Sequence, residues 1–153
     1  MKPKQLILSF VGLALISGCF YSSTILADES DDIIKYRKNV MKSLAADSRM
    51  IKAILTGKIS YKKDLTIIAS SLAAKAKMVS HHFPDGSDFG DTDAKEEIWE
   101  NKEDFNQKSK QLETASTDLL NALRQSSNEA DITQKYSAVG KSCKACHKKY
   151  REK

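Results

Sequence analysis

Ile132-Thr133-Gln134-Lys135-Tyr136-Ser137-Ala138-Val139-Gly140-Lys141-Ser142-Cys143-Lys144-Ala145-Cys146-His147-Lys148-Lys149-Tyr150 is the stretch on which the reading of the chain turns. Ile132, Tyr136, Val139, Cys143, Cys146, His147 and Tyr150 advance by 4, 3, 4, 3, 1 and 3 residues. That spacing traces one face of an α-helix. It predicts a helix from about Glu129 to Tyr150, with both cysteines and the histidine on its core-facing stripe. Asn128 or Ser127 is placed to cap it.

Working upstream, the same period recurs three times. Phe105, Leu112, Ala115, Leu119, Leu120 and Leu123 predict a helix over roughly Lys102–Arg124, with a shorter helical piece near Ala94–Trp99. Leu65, Ile68, Leu72, Ala76 and Val79 predict one from about Ser60 to Val79, with Ser60 as N-cap. Ile33, Ile34, Val40, Met41, Leu44, Ile51, Ile54 and Leu55 predict one from about Glu29 to Leu55. Asp28, Ser30, Asp31 and Asp32 offer capping and acidic residues for its start, and Gly57 offers a stop. Between His81 and Asp93 the period fails, and Pro84, Gly86 and Gly90 mark a surface crossover. The expected fold is all-α, an antiparallel four-helix bundle. Only two prolines and six glycines in 153 residues agree with long helices and a single domain.

The first 27 residues stand apart. Lys2 and Lys4 precede an uncharged, mainly apolar run from Leu6 to Ile16, which reads as a signal peptide too short to span a membrane comfortably. Two exits fit. Ile16-Ser17-Gly18-Cys19 resembles a lipobox that would make Cys19 a lipidated N-terminus, and Ile25-Leu26-Ala27 offers cleavage after Ala27. The mature domain is then 28–153. Without Lys2 and Lys4 the formal charge falls from +5 to +3, well short of a nucleic-acid-binding composition.

Cys143-Lys144-Ala145-Cys146-His147 fits C-x-x-C-H, the attachment motif of c-type haem. Two thiols three residues apart on a helix face the same way and reach the two vinyl groups of one porphyrin, while the adjacent imidazole meets the iron. A thioredoxin-like thiol oxidoreductase is the alternative of another class, but its C-x-x-C opens a helix in an α/β fold. A zinc site wants four ligands, and the sequence has no second C-x-x-C or H-x-x-x-H. His81-His82 reads as a solvated pair, and Trp99 and Tyr136 as packing residues.

At these residues the chain resembles the cytochrome c′ class, four-helix-bundle cytochromes with C-x-x-C-H near the C-terminus. Ile34 to Met41, Glu97-Ile98-Trp99 followed by Phe105, and Val139 to His147 followed by Tyr150-Arg151 carry the likeness. The resemblance implies one haem c, covalent through Cys143 and Cys146, with His147 as proximal iron ligand. It implies export, since c-type haem is attached outside the cytoplasm, and so a periplasmic protein, lipid-anchored if Cys19 is acylated. It places Met41 at the family's distal position. A bound thioether makes the iron six-coordinate and suits electron transfer; a Met that only packs leaves it open to nitric oxide or carbon monoxide. It gives Arg37 a haem propionate as partner and sets Arg151 over the proximal face; the plainer alternatives are a surface arginine and a frayed terminal one. Lys38 stands where a polar residue is common.

The expected role is therefore an exported mono-haem electron carrier, not an enzyme, with a diatomic-gas binder as alternative. Lys141, Lys144, Lys148, Lys149, Arg151 and Lys153 are opposed only by Glu152 over the last thirteen residues. They suggest docking to an acidic or membrane-bound redox partner. The family often dimerises through its first two helices.

Overall fold

The computed structural model describes residues 22–152. The run Leu6–Ile16 and Cys19 lie outside them. Four long helices carry the structure: α1 (Ser22–Leu55), α2 (Leu65–Ala76), α4 (Lys102–Arg124) and α5 (Glu129–Tyr150), with a one-turn α3 (Glu97–Glu100) before α4. Backbones approach closely along α4/α5, α2/α4 and α1/α2 and hardly at all along α1/α5, which leaves that seam the loosest of the bundle.

Sequence explains most of these boundaries. Asn128 caps α5 by accepting the Asp131 N–H at 2.9 Å. α1 stops at Gly57, whose φ of +72° is open to glycine at no steric cost. Lys58 N–H returns to the Ala53 carbonyl and Gly57 N–H to Ile54, closing the Schellman pattern.

Three expectations are corrected. α1 begins at Ser22 rather than Glu29, so Ser30, Asp31 and Asp32 lie inside the helix and do not cap it. The Ser30 hydroxyl instead donates to the Gly86 carbonyl, and Asp32 pairs with Lys35. The second helix is shorter than Ser60–Val79, because tight 3-10 turns over Lys62–Asp64 and Val79–His82 flank it. Ser60 is no cap; Tyr61, Lys62, Lys63 and Asp64 are all exposed, so nothing buried rewards an α-turn there.

The core holds Ile51, Leu72, Ile98, Leu119 and Val139 with almost no exposure. Ala69, Ala73 and Ala76 give α2 a small-residue face in that core. A charged pair bridges α1 and α2, with its aspartate buried and its lysine half-buried: the Lys75 ammonium reaches Asp47 at 2.5 Å and the Ser43 hydroxyl at 2.6 Å.

Candidate haem site

The two cysteines of the motif sit on α5, half-buried against the core and unpaired with each other. Burial pushes the Cys143 thiol up, and pushes Cys146 up to about 11. Thiol–disulfide chemistry needs the opposite, a thiolate at neutral pH. The pair also lies toward the negative end of a 22-residue helix, which disfavours thiolate further. The thiol oxidoreductase alternative is thus without support. The zinc arrangement fares no better: among the described residues no three His, Cys, Asp or Glu side chains converge.

His147 departs from the expected stripe. Val139 and Tyr150 are buried and Cys143 and Cys146 half-buried, but His147 is exposed. It follows Cys146 by 100° of helix rotation, which turns it off the buried face. Partial desolvation, with the Arg151 charge in second place, lowers its pKa, so the ring is neutral and its nitrogen lone pair is free to ligate.

Across the loose seam, Tyr136 on α5 donates to the Ser48 carbonyl at 3.0 Å and shares a 3.1 Å hydrogen bond with the Ser48 hydroxyl on α1. α1 and α5 run antiparallel, so this contact fixes their register. Seven residues back from Ser48 and seven on from Tyr136 bring Met41 level with Cys143. Four more bring Arg37 level with His147. Met41 is half-buried against the core. A seam with two neutral thiols on one wall, a thioether opposite and an imidazole at its rim fits a flat apolar porphyrin attached through sulfur. Gly140, exposed on α5 one turn before Cys143, has open space where a Cβ would stand.

Arg37 is not a surface residue. It is 3% exposed, and its guanidinium lies 4.6 Å from the Phe83 ring and 5.7 Å from Trp99. Nη1 donates to the Ser87 hydroxyl and the His82 carbonyl, and Nη2 to the Ser87 carbonyl and the Thr92 hydroxyl. All four terminal N–H groups hold the crossover, which leaves Nε–H for any propionate. The fully buried Ser87, whose hydroxyl donates to the Pro84 carbonyl, has no signal in the sequence beyond the turn around it.

Arg151 is exposed but not frayed. It pairs with Asp93 at 3.1 Å and forms an isolated antiparallel bridge with Ala94. Lys38 is likewise tied to the crossover, through Asp91 at 2.7 Å. The histidine pair divides: His81 is exposed, whereas His82 is half-buried, edge-on to Tyr36 at 5.1 Å, with its Nδ1 sealed off and unbonded. Trp99 packs on Phe83 at 6.0 Å and donates to the Pro84 carbonyl.

The sequence profile of the family described as Cytochrome C' matches residues 32–151. A cytochrome c' from Rhodopseudomonas palustris is 30% identical over 145 residues, 92% of this chain and 96% of that one. Cytochrome c prime from Shewanella frigidimarina superposes with a TM-score of 0.76 at 33% identity, over 81% of this chain and 97% of that one. A ferrous variant of cytochrome c prime from Alcaligenes xylosoxidans with bound NO gives 0.74 at 25% identity, over 81% and 96%. The motif, the four-helix frame and these likenesses agree, and the chain belongs to the cytochrome c′ family, whose cofactor is a covalently attached haem c.

Proposed function

We propose that the protein is an exported, periplasmic mono-haem electron carrier. Cys143 and Cys146 hold the haem as thioethers, His147 is the proximal iron ligand and Met41 the distal one. Haem supplies the one-electron couple and the gas-binding position. The chain's own residues attach it, flank it and exclude water from one face. The observation that carries the electron-transfer reading is the antiparallel register that sets Met41 level with Cys143. With the haem bound, ligation by the Met41 thioether and the His147 imidazole would raise its potential and suit electron transfer. Arg151, bridged to the crossover beside His147, guards the proximal side. Arg37 meets a propionate only through Nε–H.

The second reading is a diatomic-gas binder. The NO complex of the Alcaligenes relative favours it, as does the incomplete burial of Met41, which leaves its thioether displaceable. Carbon monoxide added to the ferrous holoprotein separates the two. Electron carriage predicts a low-spin spectrum that carbon monoxide leaves unchanged, and a gas-sensitive one in Met41→Leu. A wild-type spectrum that shifts at once on adding the gas overturns Met41 ligation and makes gas binding the function.

A homodimer through the first two helices also has a surface to use. Ile59, Tyr61 and Ile67 are exposed at the α1–α2 end, Ile67 by 72%.

A further inference from the structure

From Ile132 to Arg151 the chain contains no aspartate or glutamate, yet it carries Lys135, Lys141, Lys144, Lys148, Lys149 and Arg151. The structure sorts these six into two groups. Lys135 faces Asp118 at 3.9 Å, Lys149 is held by Asp104 at 2.9 Å and Arg151 by Asp93 at 3.1 Å. Lys141, Lys144 and Lys148 are exposed, and among the described residues none of them has an ion-pair partner.

The three free lysines follow one another at three and four residues, so they form one stripe along α5. At 100° per residue, Gly140 and exposed His147 lie about 75–95° round α5 from the stripe, and the cysteine pair lies on the far, half-buried side of the same helix. Stacking three like charges on one helix face opposes the helix. The helix dipole offsets it only in the last turn, at Lys148. The fold makes no use of the stripe, although acids are plentiful nearby: residues 85–104 hold nine of them against two lysines. Acids from that stretch neutralise Lys149 and Arg151 and leave the stripe bare.

Resting on the haem reading above, we infer that Lys141, Lys144 and Lys148 are the docking surface through which an acidic electron-transfer protein reaches the haem. A protein suits the stripe better than a flat anionic membrane. The stripe is one helix wide, and the Lys95 N–H to Tyr150 carbonyl bond sets the α3 segment, with exposed Glu96, Glu97, Glu100 and Glu103, against the end of α5. Those glutamates add negative charge at that end of α5, which weighs against a broad anionic surface. A compact acidic patch addresses the lysines alone.

The test uses ferric holoprotein and the hydroquinone form of flavodoxin, an acidic protein, as reductant. One electron passes from the flavin hydroquinone anion to the ferric haem and leaves the neutral semiquinone. Stopped-flow rates are compared for wild type, the triple variant K141E/K144E/K148E, and the equally charged control K58E/K62E/K63E at the α1–α2 connection. The expected wild-type rate falls as salt is added, since docking charges are screened. At low salt the triple variant is slower by about tenfold or more, while the control keeps the wild-type rate. Equal slowing of both variants reduces the stripe to net charge, and unchanged rates in both overturn the proposal. Co-sedimentation of wild type, but not the triple variant, with phosphatidylglycerol vesicles reassigns the stripe to a membrane and also overturns it. A chain without a haem spectrum defeats the haem reading, which is a separate failure.

Discussion

Arg37 has the heaviest structural duty of any single residue. Burial pulls its pKa down and Asp88 works against that, so the guanidinium stays charged inside a cage of Phe83, Trp99 and four acceptors. Lysine cannot copy a planar fork with four donors in use. Arg37→Lys is expected to lose about 2–3 kcal/mol in urea denaturation, because buried acceptors on the crossover go unbonded. His82 makes a pH prediction. Burial, then the charges of His81 and Arg37, lower its pKa below the ordinary 6.5, and its Nδ1 has no partner. The unfolded chain therefore takes up a proton at a pH where the folded one does not. Stability should fall as pH drops through 6.5 and level off below the folded pKa. His82→Phe, which keeps an aromatic edge toward Tyr36, should flatten that slope in melts between pH 7 and 5. At this scale the motif residues were legible because their spacing is local. The partners of Arg37 lie 45 to 55 residues away in a loop without period, and sequence offers no handle on such contacts.

Among the elements, α4 and α5 end where their apolar period ends, while α2 does not. Val79 continues the period past Ala76, but burial alone does not set a boundary: the backbone tightens where Met78 N–H bonds to Lys75 three residues back. Periodicity also overlooked the small polar residues of α4. Ser109 and Ser116 are buried on the same face as Phe105 and Leu119. The Ser116 hydroxyl is sealed without a partner. Ser116→Ala removes that unbonded group and improves helix propensity, so a gain of about 1 kcal/mol is expected in thermal or urea melts. A loss there would mean that the hydroxyl has a partner in the folded protein. His147 teaches a related lesson at the end of α5: it shares the apolar spacing, yet 100° of rotation from half-buried Cys146 leaves it exposed.

For the whole molecule, the bundle is closed on three seams and held on the fourth by Tyr136 and Ser48 and by the crossover that Arg37 and Arg151 fasten. Replacing both thiols should therefore cost the fold a cofactor that fills this seam, and Cys143→Ala/Cys146→Ala should give a chain without a cooperative thermal transition. The four-helix frame was readable in advance because each helix buries one apolar stripe. The loose seam was not, because it shows only when the helices are assembled. The most direct test is whether haem stays with the chain after denaturation. Wild-type protein extracted with acidified organic solvent should keep one haem, seen in the mass of the denatured chain, and the double alanine variant should keep none. Haem that extracts freely from wild type, with Cys143 and Cys146 both left open to maleimide, would contradict the account.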